Sequence, residues 1–410
     1  MKKIGYFIII ICLLSCEQEI IETTTENQQQ EQLQSRTPPT IASKKGNTVV
    51  IRFAAGLSEA EKTVLRTTYG VTDYEKCSCG DKNLESWDLE AIHEGATIEE
   101  RVTSMEDEPE MEGADFNFDI QISSQVPTGV PLEIQHYQSI FPKIRSNNAS
   151  VTVGVLDTGI NPTYFRFEQP FLHNSALDQE SCGDEFFGWN FVDNNNEPFD
   201  DNGHGTIVSY MIYEQLIDTA TDFEILPAKA FDADGKSSLF RIGCGLSYLI
   251  MKDVNVINMS FGWTTTTSTI IGSYITEVEE RILIVASAGN TGENNDNDAH
   301  FPSSYPTKNI LAVTAVDNAM PPNLEPIISN YGPISVDIAV HGIGLPFYMT
   351  SGADPILVTG SSYSSAKVAG FSASKYQEGM PVSVLYHKIL MDKIESSTLS
   401  QIKYASYLNL

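Results

Sequence analysis

At residues 151–159 the chain reads Val-Thr-Val-Gly-Val-Leu-Asp-Thr-Gly. A short apolar run that stops at Asp and Gly is typical of a strand that is buried on both faces of a parallel sheet. Similar runs, separated by helical stretches, occur at 225–230, 254–259, 282–286, 311–316 and 336–340. Because buried strands that alternate with helices form α/β folds, we predict a mostly parallel sheet with helices on both faces over residues 149–410.

Two polar residues stand where a strand ends and where a helix begins. Asp157 ends the first strand, so its carboxylate is expected at the carboxyl edge of the sheet, where it could hold an imidazole. His204 lies in Asp-Asn-Gly-His-Gly-Thr at 201–206 and opens an apolar helix. A histidine titrates near neutral pH, as a general base must, and the flanking glycines would let the backbone pass close to a substrate. A turn aspartate and a structural histidine are the alternatives.

Two further residues could supply a nucleophile and an oxyanion donor, which peptide hydrolysis also needs. Ser362 lies in Gly-Ser-Ser-Tyr-Ser-Ser-Ala-Lys-Val-Ala-Gly at 360–370. A turn that feeds a helix would place its hydroxyl at the positive helix end. Asn290 lies just beyond the apolar run 282–286, so its amide could donate to a developing oxyanion. A helix N-cap and a turn asparagine are the alternatives.

Together, and in the chain order Asp, His, Ser, these segments resemble the motifs of the subtilisin-like serine protease family. The similar segments are Asp157-Thr158-Gly159, His204-Gly205-Thr206-x-Val208, Ala288-Gly289-Asn290, and Gly360-x-Ser362 with Val368-Ala369-Gly370. The resemblance extends over about residues 148 to 390. It implies a serine endopeptidase that cleaves protein or peptide substrates through an acyl-enzyme intermediate, by a mechanism that requires no cofactor.

The resemblance also implies a role for individual residues. The catalytic triad would consist of Asp157, His204 and Ser362, with Asn290 as the oxyanion donor. The segment Ser260-Phe261-Gly262 matches the strand that pairs with the substrate backbone, a mode of β-strand addition. Residues 231–239 resemble the facing strand and loop.

Three places in the serine segment depart from the family pattern. Ser361 replaces the usual Thr, Tyr363-Ser364 replaces Met-Ala, and Ala366-Lys367 replaces Pro-His. These changes affect the surroundings of the catalytic helix and not the triad, so two alternatives stay open. One is a catalytically weak or inactive protease-like module that binds peptides. The other is a protease of narrow specificity that processes a leader or partner peptide.

Residues 47–122 predict a separate small α+β domain. Ser58-x-x-Glu61 and Thr97-x-x-Glu100 are capping boxes that start two helices. Strands are expected at 49–53, 71–77 and 84–91, and Phe116, Phe118, Ile120 and Ile122 alternate with polar residues as a last strand. The order βαββαβ is that of the ferredoxin-like split-βαβ motif. In the family this place belongs to an inhibitory propeptide, which implies an intramolecular inhibitor that is cut off somewhere from about residue 119 to residue 148.

The N-terminus predicts export. Lys2 and Lys3 precede an apolar run that is too short to span a bilayer, as in a signal peptide. Residues 13–16, Leu-Leu-Ser-Cys, resemble a bacterial lipobox. We therefore interpret residues 1–16 as a signal that leaves Cys16 lipidated in the cell envelope, with a soluble secreted protein as the alternative. Residues 17–46 are rich in Gln, Glu and Thr and predict a disordered tether, and residues 123–148 predict a linker.

Composition narrows the possible partners. The chain has 54 acidic and 25 basic residues and a net charge of −29, so it repels nucleic acid. Membrane contact is expected through the lipid anchor only, and we expect a monomer. Structural calcium is possible but unassigned at the acidic stretches Asp193 to Asp201 and Glu293 to Asp298, which are more simply interpreted as solvated loops.

Four of the six cysteines lie beyond the N-terminal segment that holds Cys12 and Cys16. They are Cys77, Cys79, Cys182 and Cys244. An exported chain can form disulfides, and four cysteines allow three complete pairings. The Cys77-x-Cys79 pair is expected in a surface hairpin.

Overall fold

A computed structural model describes residues 43–90, 97–122, 141–165, 170–179, 181–264, 266–348 and 354–410. The predicted signal segment and most of the predicted tether and linker lie outside these residues. Chain contacts divide the protein into two compact units, Met1–Pro38 and Pro39–Leu410, and every described residue belongs to the second unit. No helix within the described ranges is both long enough and apolar enough to cross a bilayer.

Residues 43–122, which we call the N-terminal module, form an antiparallel sheet with two helices. The elements are Ser43–Phe53 (β1), Glu59–Thr68 (α1), Val71–Lys76 (β2), Leu84–Leu89 (β3), Ile98–Glu106 (α2) and Met111–Gln121 (β4). Both predicted capping boxes are present, at Ser58 and Thr97. The order of elements is the one that the sequence predicts, and the strands lie in the order β2-β3-β1-β4.

Side-chain alternation along β1 gives the module two apolar faces. Val49 and Ile51 pack with Trp87 and Met105 in a core of the module's own. Val50 belongs to a different cluster, which the module shares with the rest of the chain. Because successive side chains of a strand point to opposite faces, the sheet is buried on both sides.

Residues 141–410, which we call the C-terminal domain, surround a nine-stranded sheet. Its strands are Val151–Asp157 (β5), Trp189–Asn190 (β6), Phe223–Lys229 (β7), Val256–Met259 (β9), Leu283–Ser287 (β10), Ile310–Val316 (β11), Ile338–His341 (β12), Ile394–Glu395 (β15) and Ser406–Leu408 (β16). They lie in the order β15-β16-β12-β11-β10-β9-β5-β7-β6. All neighbouring pairs are parallel except β15 with β16. The predicted mostly parallel sheet is confirmed.

Helices cover both faces of this sheet, also as predicted. They are His204–Leu216 (α3), Leu239–Met251 (α4), Thr269–Glu277 (α5), Ser361–Lys375 (α6) and Val382–Met391 (α7). Helices α3, α6 and α7 share one apolar core with Val153 and Val155, whereas α4 and α5 pack with Leu156 on the other face. The fully described connections from β10 to β11 and from β11 to β12 carry no helix, so the predicted alternation of strand and helix fails there.

Smaller elements complete the C-terminal domain. The short strands Leu345–Phe347 (β13) and Ile356–Val358 (β14) pair with each other. Short 3₁₀ helices occur at Phe141–Lys143, Pro162–Tyr164, Ser175–Leu177 and Ser397–Leu399.

One strand of the C-terminal domain, Lys236–Ser238 (β8), extends the sheet of the N-terminal module. It pairs antiparallel with the end of β4, with Asp119 opposite Ser238 and Gln121 opposite Lys236. The next residue, Ile122, donates its N–H to the Gly235 carbonyl at 2.9 Å. The module therefore adds its last strand to the segment that resembles the facing substrate strand.

Candidate active site

Asp157 and His204 form a buried hydrogen-bonded pair. Asp157 is the last residue of β5 and His204 the first of α3, and both side chains are fully buried. His204 Nδ1 lies 2.7 Å from Asp157 Oδ1. Because a carboxylate accepts, Nδ1 carries the proton in the neutral ring, and Nε2 presents its lone pair. Nε2 has no hydrogen-bond partner among the described residues.

A third carboxylate, Asp200, organises the turns that carry this pair. Its Oδ1 accepts from Thr158 Oγ1 at 2.8 Å and from the Gly203 N–H at 2.7 Å. Its Oδ2 accepts from the Thr206 N–H at 2.8 Å. The interpretation of residues 193–201 as a solvated loop is therefore wrong for Asp200, which is 5% exposed, because its oxygens bond inward to both turns. In the sequence, the only indication of this role is the position of Asp200 shortly before the start of α3.

The glycines beside His204 serve backbone geometry. Gly203 has φ +106, a conformation that a side chain would strain. A Cβ on Gly205 would lie 2.3 Å from the Gly159 carbonyl oxygen. Gly205 thus lets α3 approach the turn after Asp157, whereas the sequence analysis explained these glycines by the approach of a substrate.

Ser362 lies in the first turn of α6, against the segment predicted to bind substrate. Its hydroxyl donates to the Ser260 carbonyl at 2.9 Å, and the Ser260 hydroxyl donates to the Ser362 carbonyl at 2.8 Å. The ring of the next residue, Tyr363, lies 5.8 Å from the His204 ring. The structure therefore brings the start of α6 to the imidazole, although His204 Nε2 and Ser362 form no hydrogen bond in the described structure.

Asn290 is held by Ser361, the residue that replaces the family's threonine. Asn290 Oδ1 accepts from the Ser361 N–H at 2.7 Å and lies 2.9 Å from the Ser361 hydroxyl. Since Oδ1 takes both contacts, the amide nitrogen is the end that faces away from Ser361. The backbone N–H and the hydroxyl of Ser361 thus both orient the Asn290 amide.

His300 lies between two backbone segments, the one that contains Gly262 and the one that contains Gly289. A Cβ on Gly262 would lie 2.1 Å from His300 Cε1, and a Cβ on Gly289 would lie 3.0 Å from His300 Cδ2. The Gly289 N–H donates to the Ser361 hydroxyl at 3.2 Å, so the segment that contains Gly289 is hydrogen-bonded to the start of α6. Burial lowers the pKa of His300 to about 4, which leaves the ring neutral at pH 7. No local pattern in the sequence marks this residue, so it could not be predicted.

The remaining departures in α6 are also buried. Tyr363 is fully buried, and burial together with the Asp157 charge raises the pKa of its hydroxyl. Lys367 Nζ donates to the Leu410 carbonyl at 2.6 Å, and burial lowers its pKa to about 8. Both side chains therefore help to fix α6 against its surroundings.

A second buried histidine, His173, lies in a different setting. Its Nδ1 is 2.8 Å from Glu224 Oε1 and its Nε2 is 3.0 Å from Asp178 Oδ2. Burial by itself lowers the pKa of His173, but the hydrogen bonds to Asp178 and Glu224 outweigh it and raise the pKa to about 9. His173 is therefore a cation at neutral pH.

Within the described ranges, one group of side chains lies close enough together to hold a metal ion: Cys79, Cys182 and Glu185. The two cysteines are joined in a disulfide, so they offer no thiolate to a metal. In the acidic stretches, Asp296 Oδ1 accepts from the Ser335 N–H at 2.9 Å, and Asp200 is engaged as described above. The possible calcium sites stay a prediction.

The sequence comparisons identify the family. The Subtilase family matches residues 148–392, which is more than half of the chain, so the protein belongs to this family of serine proteases. The chain is 28% identical over 305 residues to the thermostable alkaline protease of Halalkalibacterium halodurans, covering 70% of this chain and 75% of that protein.

Two other similarities are less extensive. The cell wall-associated protease of Bacillus subtilis is 28% identical over 214 residues, which is 49% of this chain and 21% of that protein. A crystal structure of a cold adapted subtilisin-like serine proteinase has a TM-score of 0.48 and 21% identity, covering 64% of this chain and 89% of that one.

Proposed function

We propose that the protein is an exported serine endopeptidase in which Asp157, His204 and Ser362 form the catalytic triad. The observation that carries this proposal is the buried Asp157–His204 pair, which leaves Nε2 without a partner among the described residues next to the helix turn that bears Ser362. Membership of the subtilase family supports the same reaction class.

In the proposed reaction, the Ser362 hydroxyl first turns from the Ser260 carbonyl to His204 Nε2. This exchange replaces one hydrogen bond by another, so its net cost is small, about 1 kcal/mol. Ser362 Oγ then attacks the scissile carbonyl while Nε2 takes its proton, and Nε2 returns that proton to the leaving amine. Water hydrolyses the acyl-enzyme by the same route in reverse. Asp157 holds the ring and stabilises the imidazolium.

The developing oxyanion would be bound by Asn290. The contact with Ser361 fixes the amide so that its nitrogen, the donor end, faces away from α6's first N–H. A donor that is held in place before the reaction stabilises charge without reorganisation, which is the main source of its effect.

The substrate backbone would pair with Ser260-Phe261-Gly262, and the carbonyl under attack would lie between this segment and Asn290. The side chain of that residue then enters the space where His300 lies against Gly262 and Gly289. We therefore expect a preference for a small residue before the scissile bond. This restriction favours the narrow-specificity alternative over broad protein degradation.

The N-terminal module would act as the inhibitor of the same cleft. Its strand β4 pairs with β8, and β8 is the edge to which a substrate strand would add. The Ile122 N–H to Gly235 carbonyl bond continues this pairing toward the site. Cleavage beyond Ile122, within the linker predicted from the sequence, would break the peptide connection between the module and the C-terminal domain.

Export by the N-terminal signal, with a lipid anchor at Cys16 and a cell-envelope location, completes the proposal. The disulfides described below suit an oxidising compartment. Metabolic labelling with an alkyne-tagged fatty acid tests the anchor. Wild-type protein should carry the label, the Cys16→Ala variant should not, and an unlabelled wild-type protein would leave the soluble secreted form.

The function is tested with the processed wild-type protein and its Ser362→Ala variant. After reduction with a dithiol, wild-type protein should cleave unfolded casein and react with a fluorophosphonate, and the variant should do neither. The alternative of an inactive peptide-binding module gains its support from the Ser362–Ser260 hydrogen bond, which holds the hydroxyl away from His204. Processed and reduced wild-type protein that binds peptides without cleavage or labelling would establish that alternative.

A further inference from the structure

Two disulfides cross from the N-terminal module to the C-terminal domain. Cys77 is bonded to Cys244, and Cys79 to Cys182, with Cα–Cα separations of 5.5 Å in each pair. Both cysteines lie in the hairpin of β2 and β3, as expected, but the expected surface position is wrong, since both are buried against the other domain. Of the three pairings that the sequence left open, two join each module cysteine to the C-terminal domain, and the structure has one of these two.

The turn between β2 and β3 that carries these cysteines fits closely onto α4. A Cβ on Gly80 would lie 2.6 Å from Ser247 Oγ and 2.9 Å from the Cys244 carbonyl. The Asp81 N–H donates to Ser247 Oγ at 3.0 Å, and Tyr274 donates its hydroxyl to Asp81 Oδ2 at 2.8 Å. The bridges thus join surfaces that already match.

Polar contacts hold the module at a second place, the start of α5. The Asp115 carboxylate accepts from the Ser268 hydroxyl at 2.7 Å and from the Ile270 N–H at 2.9 Å. It is 6% exposed, and a carboxylate at a helix N-terminus is favourably placed. Arg52 adds an ion pair to Glu277 in the same helix.

We propose that the N-terminal module stays bonded to the C-terminal domain after the linker is cut and remains as a disulfide-linked subunit of the processed protein. Both module cysteines precede Ile122, and both partner cysteines follow the predicted linker. Any cut between about residues 123 and 148 therefore yields two chains joined by two bridges. Retention rests on the proposed function only for the cut itself, whereas its effect on activity rests also on the proposed protease activity and on the proposed inhibition by the module.

Retention has a consequence for the cleft. A tethered module rebinds intramolecularly, at an effective concentration on the order of millimolar, whereas a released one is diluted. The strand β4 therefore continues to occupy β8 after the cut. Opening the cleft requires a thiol reductant, which reduces each bridge by exchange: two thiols per bridge give one disulfide of the reductant and two cysteine thiols.

The two bridges differ in access. Cys77 and Cys244 are 3% and 2% exposed, whereas Cys182 is only half-buried. Because exchange needs a thiolate to reach a sulfur, Cys79–Cys182 should be reduced first. As both bridges must open before the module can leave, the buried bridge sets the rate of release.

Denaturing gel electrophoresis of the exported, processed chain tests retention. Wild-type protein should run as one band without reductant and as two bands with it. Each of the single variants Cys77→Ser and Cys79→Ser should behave the same way, because one bridge is left. The double variant should give two bands without reductant. Two bands from unreduced wild-type protein would overturn the proposal.

Activity of the processed protein tests the consequence. A small dithiol should raise the rate of peptide cleavage by wild-type protein at least about tenfold, because release removes the tethered inhibitor. The double variant should be fully active before reduction and should not respond to the dithiol. A wild-type rate that the dithiol leaves unchanged would contradict gating by the bridges.

A cut that does not depend on the protein's own activity separates this proposal from the proposed function. The Ser362→Ala chain would carry a recognition sequence for a site-specific protease within residues 126–140 and be cut by that protease. One band without reductant and two with it would support the bridges even if wild-type protein never cleaves itself. Two bands without reductant would reject them whatever the activity of wild-type protein.

Discussion

Two buried histidines of this chain each bond to a carboxylate, yet they lie in regions built for different ends. His173 has both ring nitrogens bonded, to Glu224 and Asp178, and its pKa is raised to about 9. His204 has one nitrogen on Asp157, while the other has no partner among the described residues. An imidazole ring that hydrogen-bonds to carboxylates through both nitrogens stays a cation. An imidazole ring with one nitrogen that accepts no hydrogen bond can take a proton and return it.

The difference teaches that a His–carboxylate pair is not by itself a catalytic signal. Lys252 also bonds to Asp178 and to Glu185, so the region around His173 is a closed network of opposite charges. Asp200 holds the turns beside His204 through backbone and hydroxyl contacts. His204 Nε2 has no partner among the described residues, and the ring lies next to the start of α6. What distinguishes the two sites is the unused nitrogen and what lies beside it.

The largest expected effect is the loss of activity on replacing His204. His204→Gln should lower kcat/KM by about 10⁴-fold or more, because no other side chain takes the proton from Ser362. The matched variant His173→Gln should retain kcat/KM within about threefold at 25 °C, since it affects stability and not proton transfer. Peptide hydrolysis measures both, with far-UV circular dichroism to check folding. Equal losses of kcat/KM in the two variants would contradict the different roles assigned to His204 and His173.

The oxyanion donor should rank next. Asn290→Ala should lower kcat by about 100- to 1000-fold with little change in KM, because the amide acts on charge that develops in the transition state. Ser361→Ala removes the hydroxyl near Asn290 Oδ1 but keeps the backbone N–H contact, so its loss should be about tenfold. Steady-state kinetics distinguish the two. A larger effect of Ser361→Ala than of Asn290→Ala would contradict the assigned roles.

His173 should contribute a loss of stability at alkaline pH, opposite in sign to the contribution of Lys367, whose pKa burial lowers to about 8. The pKa of His173 is raised in the folded protein, so the stabilisation is complete below the unfolded value of 6.5 and is lost as pH rises through about 9. The loss is on the order of 3 kcal/mol. Urea unfolding of the Ser362→Ala chain between pH 6 and pH 10 measures it without self-digestion. The difference in unfolding free energy between that chain and the same chain with His173→Gln should shrink as the pH rises through about 9, and a difference that does not change with pH would refute the assignment.

The last predicted effect concerns substrate choice. His300→Gly removes the ring between Gly262 and Gly289, so kcat/KM for peptides with an aromatic residue before the scissile bond should rise by about 10- to 100-fold relative to alanine peptides. His387→Ala, at an exposed position of α7, is the control and should leave the ratio unchanged. An unaltered ratio in His300→Gly would place the substrate side chain elsewhere.

Local signals explain how much of this molecule could be predicted from its sequence. The capping boxes at Ser58 and Thr97 and the buried strands of the central sheet depend on neighbours in the chain, and the structure bears them out. The pairing of Asp157 with His204 followed from motif order. The sequence therefore predicted the sheet, the module's order of elements and the pairing of Asp157 with His204, while the roles of the other site residues stay predictions.

The features that the sequence could not supply are contacts between distant segments. Asp200 looked like part of an acidic loop because its partners, Thr158 and Thr206, lie in two different turns. His300 carries no pattern of its own, since its role depends on two glycines that come together only in the fold. The disulfides likewise depend on how the turn between β2 and β3 lies on α4, which places Cys77 beside Cys244 and Cys79 beside Cys182.

The most direct test of the account is the site and rate of fluorophosphonate labelling in the processed, reduced protein, determined by peptide mass spectrometry. The account predicts modification of Ser362 alone in wild-type protein, and at least about 10³-fold slower labelling in His204→Gln. Labelling of a different serine, or labelling of Ser362 at the same rate in both proteins, would contradict it.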